Sequence, residues 1–268
     1  MTWSLSATTA KFLVGESQTM PPKLTLHLLT MSHPCMTAEA ALRFKGLDYE
    51  RVVFTPGTHV EEMAKIYGEK STTVPGLLVD DEPVHGSTAI VARLEEIKPD
   101  PPLYPDGRAD EVREAELWAD RELQDLGRRL TWGGLHFRPE AMGTFAGGEP
   151  LDPPGVDFAM KFLRGTWKYH KISAERLAAD LAGFPAKVDH VEGLAADGLI
   201  GGDPPNAADL QIGSTIRVLL TVRDLDEQLT GTAAEGIARR WFPDYAGEIP
   251  AGAFPAGWLP TRSLAEKR

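Results

Sequence analysis

The stretch KLTLHLLTMSHPCMTAEAALRFKGLDYERVVF (residues 23–54) decides the architecture. Leu24, Leu26 and Leu28 alternate with Thr25, His27 and Leu29, the period of two that places one set of side chains on each face of a strand. Ser32-His33-Pro34 interrupts the alternation. Residues 35–45 then read as a helix, with Met36, Ala40, Ala41 and Phe44 among its apolar positions and Gly46 where a left-handed C-terminal residue is wanted. Residues 49–54 form a second short strand. Two strands joined through a crossover helix should pair in parallel.

Outward from this unit, residues 60–67 read as a short helix closed by Gly68, and residues 74–79 as a strand with Pro75 near its start. Asp80-Asp81 turns the chain into a shorter strand over residues 83–85, which should form a hairpin with its predecessor. Ser87 or Thr88 opens a helix through Ile90, Val91, Leu94 and Ile97. The order is β-α-β-α-β-β-α. Residues 98–107 contain four prolines and cannot be helical, so they mark a boundary. Beyond it the pattern is helical: a long amphipathic helix over 110–130, a Gly/Pro-rich break at 143–155, and helices over 156–171, 173–181 and 186–196. Asn206 with Asp209 three positions later has the form of a capping box before the apolar run Leu210, Ile212, Ile216, Leu219 and Leu220. The expected division is an N-terminal arm (1–22), an α/β domain (23–98), a proline-rich linker (99–109), an all-helical domain (110–245) and an irregular tail (246–268).

At 268 residues, and ~150 residues per domain, the chain has room for about two domains. With 42% hydrophobic and 25% charged residues it is an ordinary globular sequence. A net charge of −11 is repelled by phosphate backbones and anionic lipid, which argues against nucleic-acid and membrane-surface partners. The single cysteine, Cys35, excludes an intrachain disulfide and a cysteine-only zinc site, and the seven histidines form no H-E-x-x-H, so no metal is expected. No run of 18 apolar residues and no signal-peptide pattern is found, and the expected compartment is the cytoplasm.

Three stretches resemble the cytosolic glutathione transferase family. SHPCMTAEAALRFKGLDYE (32–50) is similar to the family's S/C-P-x-x…A-L-x-x-K-G-x-x-Y-E run. VPGLLVDD (74–81), followed by GSTAI (86–90), is similar to V-P-x-L…E-S-x-A-I, and PNAADL (205–210) to the capped helix of the second domain. The resemblance spans residues 23–245 and implies an α/β thioredoxin-like, thiol-binding domain followed by an all-α domain, glutathione as co-substrate, and a homodimer. It places Ser32 at the position of the activating side chain, with Cys35 inside the first turn. Val74 falls where the backbone pairs with the cysteinyl part of glutathione, and Pro75 where a cis peptide is expected. Ser87 falls where the γ-glutamyl carboxylate is bound. One position departs from the family: Gly86 stands where Glu or Gln usually contacts the γ-glutamyl amine.

The chemistry such a site must perform is to make a thiolate at neutral pH. A free thiol has a pKa of about 8.5, and a helix N-terminus can lower a thiol to roughly 3.5–7.5 through its unpaired N–H groups and dipole. A Ser32 hydroxyl donating to the sulfur adds a hydrogen bond to the charged form. Alternatively, Ser32 simply caps the helix. Cys35 reads as a redox thiol or as a small buried hydrophobe, and His33 as a hydrogen-bond donor to substrate or a surface residue. Ser87 and Thr88 open a helix whose N-terminus suits a carboxylate, or merely cap it. On the long helix, Trp118, Arg121, Asp125 and Arg128 form one stripe; Trp118, Arg121 and Arg128 are candidates for an acceptor pocket, or the stripe is a solvated face. Three functions remain open: thiol addition to an electrophile (or isomerisation or dehalogenation), ligand binding without turnover, and thiol-disulfide reduction through Cys35.

Overall fold

The alternation at residues 24–29 builds β1 (Leu24–Leu28), the middle of a four-stranded mixed sheet in the computed structural model, which describes residues 21–260. Residues 1–20 of the expected arm (1–22) and the last tail residues, 261–268, lie outside the described residues. β1 pairs in parallel with β2 (Glu50–Val53) and antiparallel with β3 (Gly76–Val79), and β3 forms a hairpin with β4 (Glu82–His85), in the order β2-β1-β3-β4. α1 (His33–Phe44) makes the parallel crossover, and α2 (His59–Tyr67) and α3 (Ser87–Ile97) complete the β-α-β-α-β-β-α order. Gly46, at φ +57°, ends α1 as anticipated: Leu47 N–H reaches back to Leu42 O at 3.1 Å, the bond that satisfies a last-turn carbonyl.

All five residues of β1 are buried, so both sheet faces are covered. Leu24, Leu26 and Leu28 share a core with Ala41 and Leu42 of α1 and Ile90 and Leu94 of α3. His27 belongs to the other set: its Nδ1 lies 2.6 Å from the Tyr67 hydroxyl of α2, and its ring stacks on Phe54 at 5.3 Å. Beside it, a Cβ on Gly76 would meet the Tyr67 ring at 2.3 Å. Gly76→Ala should therefore displace α2 and cost about 1–3 kcal/mol, readable as a lower denaturant midpoint; an unchanged midpoint would show that the ring moves aside freely.

The expected long helix is α4 (Ala109–Trp118) and α5 (Asp125–Phe137) joined without a break by a π-helical segment, Ala119–Gln124. It is followed by α6 (Met142–Phe145), α7 (Pro153–Tyr169) and α8 (Ala174–Ala196). The domain ends with α9 (Ala207–Leu219), α10 (Asp226–Leu229) and α11 (Ala233–Trp241). Residues 173–196, read from sequence as two helices, are one: α8 runs through Pro185. A mid-helix proline costs about 3 kcal/mol, but Leu177, Leu181, Phe184, Val188 and Val191, spaced four, three, four and three apart, are all buried on one face. Each such side chain contributes roughly 1.5–3 kcal/mol on burial, so packing outweighs the proline.

α9 is buried along its whole length and is the axis of the helical half. The capping box is present: Asp209 N donates to Asn206 Oδ1 at 3.1 Å, and Asn206 N to Asp209 Oδ2 at 3.0 Å. These residues are structural, as expected. α1 packs on α9, with Thr37 Oγ1 2.7 Å from Ser214 Oγ, so the two halves share one interface. The tail is irregular but not loose: Ile249, Ala253 and Phe254 are buried, and Ile249 bridges to Val222. No helix of the described residues is long and apolar enough to cross a membrane.

One carboxylate is buried at a cost. Glu116 of α4 is fully buried; Tyr104 donates to its Oε2 at 2.7 Å, but Oε1 has no partner among the described residues. Burial raises its pKa to about 7. A raised carboxyl pKa means the unfolded chain gives up this proton at lower pH. Its stabilising contribution is thus full below about pH 4.3 and lost as pH rises towards 7. Glu116→Gln should stabilise the protein at pH 8 by on the order of 1–3 kcal/mol and change little at pH 4.5. A variant equally stable to wild type at both values would contradict the assignment.

Candidate functional site

Ser32 is the N-cap residue of α1, with extended backbone (φ −76°, ψ 113°), and its side chain makes no capping hydrogen bond. The hydroxyl is half-buried on the wall of a cavity and bonds to the Cys35 thiol, not to the helix backbone. The first intrahelical bond runs from Met36 N to Ser32 O at 3.0 Å. The N–H groups of His33 and Cys35 thus lack intrahelical acceptors, and Pro34 has none to offer. A hydroxyl free of capping duty beside unpaired N–H groups is suited to an anionic sulfur.

Cys35 itself is 1% exposed, and burial pushes its thiol up to about 12, so it stays protonated at neutral pH. Its burial matches the small buried hydrophobe of the two readings. His33 departs from the surface position considered for it. It is buried, its Nε2 donates to Gln124 O at 3.1 Å, and burial with the nearby Arg128 charge lowers its pKa to about 3. It is a neutral tie between α1 and the π-helical segment, with its ring on the cavity wall.

The Val74-Pro75 peptide is cis, and Val74 lines the cavity across from Ser32. Behind it His85 Nε2 bonds Thr73 O at 2.8 Å, and Gly86 N donates to Pro75 O at 3.0 Å. Gly86 has φ +93° and ψ 149°, a conformation close to glycine-only. Glycine adopts this backbone without strain but brings no side chain to the position. Ser87 is buried and its Oγ accepts from Gln124 Nε2 at 3.4 Å, while Gln124 also donates to Asp120 Oδ1 at 2.6 Å. Ser87 and half-buried Thr88 open α3 outside the cavity wall that holds Ser32.

The cavity has a volume of about 860 Å³ and lies between the two halves. The α/β half contributes the 29–33 loop, the start of α2 with His59 and Val60, and Thr73-Val74. From the helical half come Arg128, Thr131, Trp132 and Leu135 of α5, faced by Phe162, Thr166 and Tyr169 of α7. The proposed stripe on the long helix does not survive intact. The π-helical segment shifts the register between Trp118 and Arg128: Trp118 packs on His190 at 4.1 Å, Arg121 is exposed, and only Arg128 reaches the cavity.

Several wall residues had no sequence signal. Tyr245 donates from its hydroxyl to Met31 O at 3.1 Å, holding the loop before Ser32 from the far end of the chain. The Tyr169 hydroxyl lies 2.9 Å from Thr72 Oγ1 and straps α7 to the α/β half. By contrast, Arg128, Thr131, Trp132 and Leu135 follow i, i+3, i+4, i+7, a face that periodicity alone could have singled out. Among the described residues no group of His, Cys, Asp and Glu is placed to hold a metal ion.

A thioredoxin-like domain joined to an all-helical domain, with a cavity opening at the N-terminus of the first helix, defines a class of two-domain proteins. Residues 26–102 match the family model described as glutathione S-transferase, N-terminal domain. Among solved structures, the chain is similar to maleyl pyruvate isomerase, a bacterial zeta-class glutathione S-transferase (TM-score 0.55, 18% identity, covering 81% of this chain and 91% of that one). It is also similar to the beta-etherase LigF from Sphingobium (0.54, 19%, 72% and 82%) and to a rice glutathione transferase in complex with glutathione (0.51, 18%, 83% and 84%). No curated protein matches the sequence. The chain is glutathione-transferase-like: residues 26–102 match the family's N-terminal domain, and its two halves together have that family's fold.

Proposed function

We propose that the chain binds glutathione with its sulfur at the N-terminus of α1 and directs the thiolate at an electrophile held in the interdomain cavity. The reaction is addition, or a glutathione-dependent isomerisation or dehalogenation. Ser32 carries this reading: a hydroxyl at a helix N-terminus, unused for capping, on the wall of a cavity of about 860 Å³. The helix N-terminus lowers the bound thiol from about 8.5, Ser32 donates to the sulfur anion, and Val74 offers its backbone to the peptide. Proximity of the two bound reactants supplies the remaining acceleration.

Ligand binding without turnover is the second reading. It is favoured by Gly86, which leaves the γ-glutamyl amine without a side-chain partner at that position, and by Ser87, whose hydroxyl is already engaged by Gln124. Reduction of disulfides by Cys35 is disfavoured by its buried, protonated thiol. Retention on glutathione-agarose together with conjugation of 1-chloro-2,4-dinitrobenzene supports the first reading. Retention without conjugation supports the second, and loss of both overturns the glutathione assignment. A homodimer in the cytoplasm belongs to the same proposal, and light scattering on the purified protein tests the dimer.

A further inference from the structure

The cavity wall has a charge pattern opposite to that of the chain. The sequence carries 39 acidic against 28 basic residues, yet no Asp or Glu lines the cavity among the described residues. Arg128 does, and Lys161 stands at the exposed rim, while burial holds the wall histidines, His33, His59 and His170, towards their neutral forms. Arg128 is mostly buried, with 18% of its side chain exposed. Its guanidinium pairs with Asp125, whose own side chain is largely exposed, and donates to Gln124 Oε1 at 3.2 Å. A guanidinium has five N–H donors, so three remain for a ligand among the described residues.

Position sets what such a ligand must look like. Gln124 accepts from Arg128 through its side chain and from His33 through its backbone carbonyl, and His33 directly follows Ser32. The cation therefore stands at the end of the cavity where α1 begins. From there the same face of α5 runs away through Thr131, Trp132 and Leu135, and Trp132 meets Phe162 of α7 edge-on at 5.7 Å. One end of the cavity is cationic and next to the reacting centre; the remainder is apolar and aromatic.

We infer that the electrophile is an organic acid, with its carboxylate close to the reacting carbon, held by Arg128, and an aromatic or bulky apolar body lying against Trp132 and Phe162. This rests on the proposed thiol chemistry for the reaction but not for the binding of the acid. A suitable probe is 4-oxo-4-phenyl-2-butenoate, an unsaturated keto acid. The glutathione thiolate forms a C–S bond at the carbon bearing the carboxylate, the C=C π pair moves into the ketone as an enolate, and water supplies the proton that completes the adduct.

The test compares this acid with its methyl ester under glutathione. It also compares the unreactive 4-oxo-4-phenylbutanoate with its own ester by calorimetry without glutathione. Wild type should favour the acid at least tenfold in kcat/KM and in affinity. Arg128→Met should remove that preference while lowering the ester rate far less, and Arg128→Lys should restore part of it, as expected for a charge-assisted hydrogen bond. Equal treatment of acid and ester by wild type overturns the inference. So does an Arg128→Met variant that slows both equally or raises KM for glutathione alone, since the arginine would then serve the fold or the thiol peptide. Selective binding of the saturated acid with no turnover of any electrophile supports the anion site and instead refutes the proposed thiol chemistry.

Discussion

Ser32→Ala is expected to lower kcat/KM for glutathione conjugation by about ten- to a hundredfold at pH 6.5, the worth of one hydrogen bond to a charged group. The loss should shrink as pH rises. Conjugation requires the thiolate, so the rate climbs with pH and levels off above the pKa of the bound thiol. Removing a donor to the anion moves that pKa up by about 1–2 units, and the variant reaches the same plateau at higher pH. Stability should change little, because the Ser32 side chain makes no cap bond and alanine forfeits only its contact with the weakly hydrogen-bonding Cys35 thiol. A uniform loss at every pH would mean that Ser32 positions a reactant without acting on the ionisation. An unchanged profile would remove it from the mechanism.

Lys45→Met should lower stability by about 3–5 kcal/mol, which is roughly 10 °C in Tm for a chain of this size. Lys45 lies just past α1 with its side chain wholly buried. Its ammonium bonds Glu95 of α3, Pro99 O at 3.1 Å and Pro101 O at 2.6 Å, so each of its three protons has an acceptor. Glu95 in turn accepts from Leu103 N at 3.0 Å. The lysine thus clamps the proline-rich connection to the α/β half. Methionine fills similar space but takes the ammonium away from two carbonyls and leaves Glu95 with Leu103 N. Glu95→Gln in the Lys45→Met background should cost much less than Glu95→Gln alone, since the pair no longer exists to be broken. Additive losses would contradict the clamp.

What could be read from sequence was local. The alternation at Leu24, Leu26 and Leu28, the left-handed Gly46 and the Asn206/Asp209 box each state their structure within a few residues, and each is present. Pro185 misled because its cost is local while the packing of Leu181, Phe184 and Val188 that overrides it is not. The π-helical segment has no local signature, and its shift in register separates Trp118 and Arg121 from Arg128. Burial of His33 depends on Gln124, 91 residues away, and the hold of Tyr245 on Met31 spans 214 residues. Ser32 and Val74, singled out from sequence, both line the cavity, Ser32 as the N-cap residue of α1 and Val74 two residues before β3.

Titration of the ultraviolet thiolate absorbance of glutathione bound to the wild-type protein reads the ionisation of the sulfur itself. The bound thiol should ionise at least one unit below the free value of about 8.5, with the shift reduced in Ser32→Ala. Ionisation at the free value, the same in both proteins, would contradict it.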